Sequence, residues 1–214
     1  MTWVLDHVDQ LLSLSAYHLW LALLPLVLGL LIALPLGWVA SRYYWARVIL
    51  VPAAGLLYTI PSLALFVLMP LILGTLILDP LNVQIALTVY TVALLVRVVA
   101  DALAAVPATV AAAATAMGYR PVGRFFAVDL PLALPVLLAG VRVATVSNIS
   151  LVSVGSLIGV HGLGQALTEG FQRDNYAEII AGIVLIVVLA LAVDAVLVLV
   201  GRVLTPWARI GGRR

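Results

Sequence analysis

The chain has no cysteine, and its eleven basic residues include no lysine. The first absence excludes disulfides, thiolate metal sites and a cysteine nucleophile; the second carries no mechanistic weight. Charge of either sign is scarce, at 9% of 214 residues against 65% hydrophobic. A soluble domain needs far more charge to cover its surface, and the mean hydropathy of +1.25 is that of an integral membrane protein. Neither a GxxxxGKS/T phosphate loop nor an HExxH metal motif is present, so no nucleotide or metal site is expected in this chain. His7, His18 and His161 are far apart and read as interfacial residues. The net charge of +2 comes from scattered arginines, which gives no reason to expect a nucleic-acid partner. The opening "MTWVLDHVDQ" carries acid and no basic region, unlike a cleaved signal peptide.

What is present is a series of long apolar runs. About 20 such residues cross a hydrocarbon core as a helix. The expected spans are residues 17–40, 48–71, 82–100, 131–156 and 179–200, an all-α membrane protein of about five crossings. The second run extends uncharged through residues 48–78 and contains Pro52, Pro61 and Pro70. It reads as one kinked span, Val48 to about Leu71, followed by a short interfacial piece. With the N-terminus outside, Arg42, Arg47, Arg120, Arg124, Arg202, Arg209, Arg213 and Arg214 are all cytoplasmic, and only Arg173 is external. Trp3, Tyr17 and Trp20 then mark the outer interface. Trp38, Tyr43, Tyr44, Trp45 and Trp207 mark the inner one.

The most polar connection, residues 101–130, contains "TAMGYRPVGRFFAVDLPLALP". Pro107 suits the first turn of a helix, and the alanines of "ATVAAAATAM" continue it. Gly118 supplies a left-handed cap. Pro121 opens a second short helix, which Pro131 is expected to end. Neither helix is long enough to stand alone, so the hairpin needs a partner to pack against.

Two alanines, a glycine four residues on, and Leu-Pro twelve and thirteen beyond it form a pattern carried here by Ala113, Ala114, Gly118, Leu130 and Pro131. It resembles the cytoplasmic "EAA" loop of ABC importer permeases, with Ala112 where the naming glutamate would stand. That resemblance implies the type I importer fold, with the hairpin between spans three and four serving as a coupling helix. Ala113, Ala114, Gly118, Tyr119, Arg120, Pro121, Arg124, Leu130 and Pro131 would then meet the ATPase. "TIPSLAL" (Thr59–Leu65) and "GVHGLGQAL" (Gly159–Leu167) are similar to segments of permeases for glycine betaine, choline and carnitine. The implied assembly has two ATPase subunits that bind ATP-Mg, a second permease copy or paralogue, and an extracytoplasmic binding protein. It sits in the lipid of a bacterial plasma membrane.

Within the spans, Tyr58, Thr59, Pro61 and Ser62 form a kink that either satisfies itself locally or lines a translocation path. Thr145, Asn148 and Ser156 share a helix face broadened by Ser150 and Ser153. Asn148 needs a partner helix or water, and is expected, with Ser153, on a pathway or dimer interface. Asp194 is the one acid within a span and is expected to pair with Arg142, with Arg97 as second candidate. Residues 162–178 read as a solvated outer loop with a short amphipathic helix. The alternatives are a permease for another small solute such as an amino acid, and a stand-alone secondary transporter. Against the latter, the chain shows no internal repeat, and Asp194 is its only acid within a span, where such proteins show repeats and midplane acids.

Overall fold

A computed structural model describes residues 7–209 of the chain. Trp3, Arg213 and Arg214, assigned to interfaces above, lie outside the described residues, as does the side chain of Arg209. Among the described residues there are nine α-helices and no strand. They are α1 (Val8–Arg42), α2 (Tyr44–Thr59), α3 (Ser62–Leu73), α4 (Pro80–Ala104), α5 (Ala108–Ala116), α6 (Pro121–Arg124), α7 (Leu130–Gly155), α8 (Gly164–Gln172) and α9 (Tyr176–Leu204). Residues Phe125–Asp129 form a π-helical turn that joins α6 to α7 without a break.

Helix α4 is the axis. Residues from Asn82 to Leu103 are buried on every side of it. Helix α1 lies along it through a seam of small residues, Ala22, Gly29, Ala33, Gly37 and Ala40, all buried. Lipid tails are as apolar as leucine, so membrane helices associate by close packing, which small residues allow. A Cβ on Gly37 would fall 2.4 Å from Cβ of Val99, and one on Gly29 would fall 2.5 Å from Cβ of Thr91. On another side of α4, Gly140 of α7 meets Val98 in the same way. The core is a column of three clusters. Leu21, Phe66, Leu87 and Ile149 fill the end far from the hairpin, and Leu26, Ala33, Leu95 and Val141 fill the middle. Val99, Leu103, Phe125 and Leu137 close the hairpin end. Helix α9 is the outlier, with only Glu178 and Gly182 buried.

Four helical segments, Val8–Arg42, Pro80–Ala104, Pro121–Ile158 and Tyr176–Leu204, are long and apolar enough to cross a membrane. The expected second span is a pair of helices that together form a broken span or a re-entrant loop, bent more sharply than a kink. The two, α2 and α3, meet at 101°, and twelve-residue α3 is too short to cross alone. Pro52 and Pro70 lie inside those helices; only Pro61 breaks the chain. The first helix also starts earlier than the apolar run that announces it. Ser13 and Ser15 return their hydroxyls to the carbonyls of Gln10 and Leu11, which lets a polar turn remain helical.

The small-residue seam sets a test. Gly37→Ala forces α1 away from α4 and should cost about 1–3 kcal/mol, the range for overpacking a filled interior. Denaturation in detergent should show the loss, and Val99→Ala in the same chain should recover most of it.

Candidate functional site

The hairpin turn is a Schellman motif. The Tyr119 N–H donates to the Ala114 carbonyl at 3.2 Å, and the Gly118 N–H to that of Thr115 at 3.0 Å. Gly118 has φ +89°, the left-handed conformation that a Cβ makes costly. Pro121 occupies the first position of α6, where its missing N–H breaks nothing. Ala114 is buried, whereas Met117, Tyr119, Val122 and Phe126 are exposed, beside exposed Ala113, Arg120 and Pro121. The short hairpin thus carries an uncovered apolar surface with a cation among it. Leu130 and Pro131 are partly buried at the root of α7.

Pro131 does not end the second helix, contrary to expectation. The helix runs on from Pro121 to Ile158. Within an α-helix, a proline ring collides with the carbonyl four residues back. Here the chain takes a π turn immediately before it, and the Leu130 N–H reaches the Phe125 carbonyl five residues back. The wider turn accommodates the ring. The hairpin's second arm and span four are therefore one rod, which Phe125 keys to the bundle with its ring 5.5 Å from that of Trp38.

Tyr58, Thr59, Pro61 and Ser62 come together at the elbow between α2 and α3. The first three are exposed and Ser62 is half-buried. Ile60 and Pro61 are both extended, with ψ near 130°. The Leu57 carbonyl, freed by Pro61, is taken by the Ile60 N–H at 3.3 Å. Neither hydroxyl serves it, because Thr59 bonds the Leu56 carbonyl instead. The residue that holds the elbow, Tyr90 of α4, was not evident in the sequence. Its hydroxyl donates to the Ile60 carbonyl, and its ring meets Tyr58 edge-on at 5.8 Å.

Asn148 is corrected from a pathway or dimer-interface residue to a clamp inside the subunit. It is 2% exposed. Its Nδ2 donates to the Ala22 carbonyl of α1 at 3.2 Å and to the Thr91 hydroxyl of α4 at 3.0 Å, so one amide joins three helices. Thr145 is buried and bonds its own helix at the Val141 carbonyl. The Ser153 hydroxyl is also buried, without a hydrogen-bond partner among the described residues. It too faces the interior. His18 is likewise no interfacial histidine. It is fully buried, with Nε2 2.8 Å from the Ile149 carbonyl and Nδ1 3.3 Å from the Leu163 N–H. Donating at one nitrogen and accepting at the other, it ties α1 to α7 and to the loop before α8. Residues 162–178 contain the expected short helix, α8, but are not the solvated loop expected: Gly162, Leu163, Gly164, Ala166 and Gly170 are buried, as is Glu178 beside Asn175.

The structure brings Asp194 and Arg142 together in a bidentate pair, with Nε and Nη2 donating at 2.6 and 2.7 Å. Arg97 is not part of it. It lies 3.7 Å from Asp101, which Arg47 of α2 holds at 2.5 Å. At about 1.5 Å per residue, Arg142 and Asp194 sit roughly 18 and 15 Å from the hairpin ends of their helices. They border a groove of about 700 Å³ between α7 and α9, walled by Val143, Val146, Val187 and Leu191. Their side chains are 42% and 24% exposed, and charges at such depth ordinarily face a bundle interior or a water-filled cavity.

A family model for the inner membrane component of binding-protein-dependent transport systems matches residues 20–210. The chain belongs to that family. It is 37% identical over 207 residues to the osmoprotectant import permease protein OsmW of Salmonella typhimurium, spanning 95% of this chain and 96% of that one. It is 30% identical to the choline transport system permease protein OpuBB of Bacillus subtilis, over 92% of this chain and 89% of the relative. A solved structure of the MetNI methionine ABC transporter, inward facing, superposes with a TM-score of 0.81 at 24% identity. It covers 94% of this chain and 98% of the other. The fold is thus that of the type I importer permeases, and a stand-alone secondary transporter is set aside.

A charge swap tests whether the intramembrane pair matters to assembly. Arg142→Asp and Asp194→Arg should each reduce membrane accumulation of the protein, and the double variant should regain part of the loss. A double variant no better than the worse single one shows that the contact contributes nothing.

Proposed function

We propose that this chain is the non-catalytic membrane subunit of an ATP-driven importer for quaternary-ammonium osmoprotectants, among them glycine betaine, choline, carnitine and proline betaine. The observation that carries the reading is the Gly118 hairpin. It is a preformed, exposed, apolar-faced turn continuous with a membrane-length rod. Such an element can receive force from a soluble partner and pass it into the bundle. Two ATPase subunits would seat there and hold all the ATP-Mg, and a second copy or a paralogue would complete the pathway. A binding protein would deliver substrate on the far side, near α8. The substrate class is supported by the names of the relatives and by the segments around Thr59 and Gly162. The Tyr58–Ser62 elbow is the best-placed gate, being the one sharply bent helix pair among the described residues and open on its outer face. The protein would lie in the bacterial plasma membrane, N-terminus outside and C-terminus in the cytoplasm.

The reading is tested by reconstitution with the cognate ATPase and binding protein. Uptake of labelled glycine betaine or choline should require ATP and all three components. Uptake without the ATPase, or competition by amino acids alone, would overturn it. Gly118→Val should still insert yet lower uptake several-fold by deforming the turn that meets the ATPase. Orientation is open to labelling because the chain has no cysteine. Cysteine at exposed Gln172 should react with an impermeant reagent added outside sealed cells, and cysteine at exposed Ala112 should not.

A further inference from the structure

Helix α5 is nine residues long, buries only Ala114, and lacks the stability to hold its place alone. One side chain fastens it to the rod. Arg124 Nη1 donates to the Thr115 hydroxyl at 3.1 Å, and among the described residues no other side-chain hydrogen bond joins the two arms. The same guanidinium donates through Nε to Asp129 Oδ2 at 3.1 Å, the side chains being 23% and 10% exposed. Arg124 and Asp129 are five residues apart, the first just before the π turn and the second its last residue. In an α-helix, five residues advance by roughly 500°, which leaves the two side chains about 140° apart around the axis. In a π turn, whose bonds run from i to i+5, the wider winding brings them nearer to one face. The ion pair is therefore favoured while this turn is wound as π. The turn stands immediately before Leu130 and Pro131, at the root of span four.

A second observation concerns the same carboxylate. Asp129 is buried, and its Oδ1 has no hydrogen-bond partner among the described residues. A buried acceptor left unsatisfied carries a desolvation penalty, so this arrangement holds a bias toward any state that satisfies or exposes it.

We propose that Arg124 and Asp129 form a latch that keeps the π turn wound and ties it to α5, so that displacement of the hairpin switches the winding at the root of span four. Rewinding the turn as α-helix changes the phase between α6 and α7 by roughly 100°, one residue's worth of rotation. A small pull on α5 is thereby converted into rotation between the hairpin and the span. Arg124 is a positioning residue in this scheme and touches no substrate. The proposal rests on the coupling reading of the hairpin.

The test uses the complete transporter in lipid, with spin labels on cysteines at Ala112 and at Tyr44, which is 84% exposed. Without nucleotide the native complex should give one narrow distance population, and a second should appear with ATP. Arg124→Gln and Asp129→Asn should each populate the second distance without ATP. Each should also lower uptake per ATP hydrolysed several-fold. The double variant should match the singles, because a latch is lost once. Should Arg124→Gln fail to insert, Arg124→Lys and Thr115→Val weaken the same contacts with less disturbance, and should shift the distances in the same direction. Variants that keep the native distances and native uptake per ATP overturn the latch alone, as does a double variant that sums two separate losses. A native complex without ATP-dependent uptake overturns the latch together with the reading beneath it.

Discussion

A backbone carbonyl or side-chain amide left bare in hydrocarbon costs several kcal/mol, and water is not there to help. The elbow and two buried polar side chains of this bundle sit where another helix settles that cost. The α2–α3 elbow exposes the Ile60 carbonyl, and Tyr90 reaches from α4 to cover it. Asn148 would be expensive in lipid, and it stands where Ala22 and Thr91 accept its protons. His18 is enclosed completely because Ile149 and Leu163 use both of its nitrogens. The polar groups thus act as cross-braces between helices that the hydrophobic effect alone would leave free to slide.

Small residues set the spacing on which these braces depend. The amide of Asn148 spans three helices only because α1 and α4 approach closely along Gly29, Ala33 and Gly37. Thr91 belongs to both systems: its side chain fills the hollow at Gly29, and its hydroxyl accepts from Asn148. Widening the seam would therefore strain the hydrogen-bond network as well as the packing. Helix α9 has no comparable seam. It is held at the far end by α8 and, along its inner half, by the Arg142–Asp194 pair. Its remaining surface is open to lipid or to further chains.

Much of this was legible in the sequence because single residues carried strong local instructions. Gly118 and Pro121 specify their turn whatever surrounds them, and a run such as residues 179–200 can hardly be anything but a membrane helix. Asp194 announced a partner because a lone acid in a span needs one, and depth alone narrowed the choice to Arg142 or Arg97. What remained hidden was tertiary in origin. Pro52, Pro61 and Pro70 look alike along the chain, and only Pro61 lies where Tyr90 can stabilise a break. Asn148 was read as facing a pathway because its polarity is visible in sequence and its two acceptors, on helices far away in the chain, are not. His18 was misread for the same reason.

Pro131 shows how local rules can mislead about continuity. Proline in an apolar run ordinarily ends or kinks a helix, and the sequence contains no separate signal for a π turn. The extra residue taken up between Phe125 and Asp129 turns a helix stop into a joint. The consequence is mechanical. A hairpin connected to span four through a flexible stop would transmit little beyond tension. A hairpin continuous with it, and keyed by Phe125 against Trp38, can also transmit torque. The elbow near Pro61 is the opposite construction, a true break where two short helices can pivot about the Tyr90 contact. One protomer thus combines a stiff element rooted at the hairpin and a hinged element deeper in the bundle. They meet through α4, on which both pack, so force entering at the hairpin can reach the hinge without crossing open solvent or lipid.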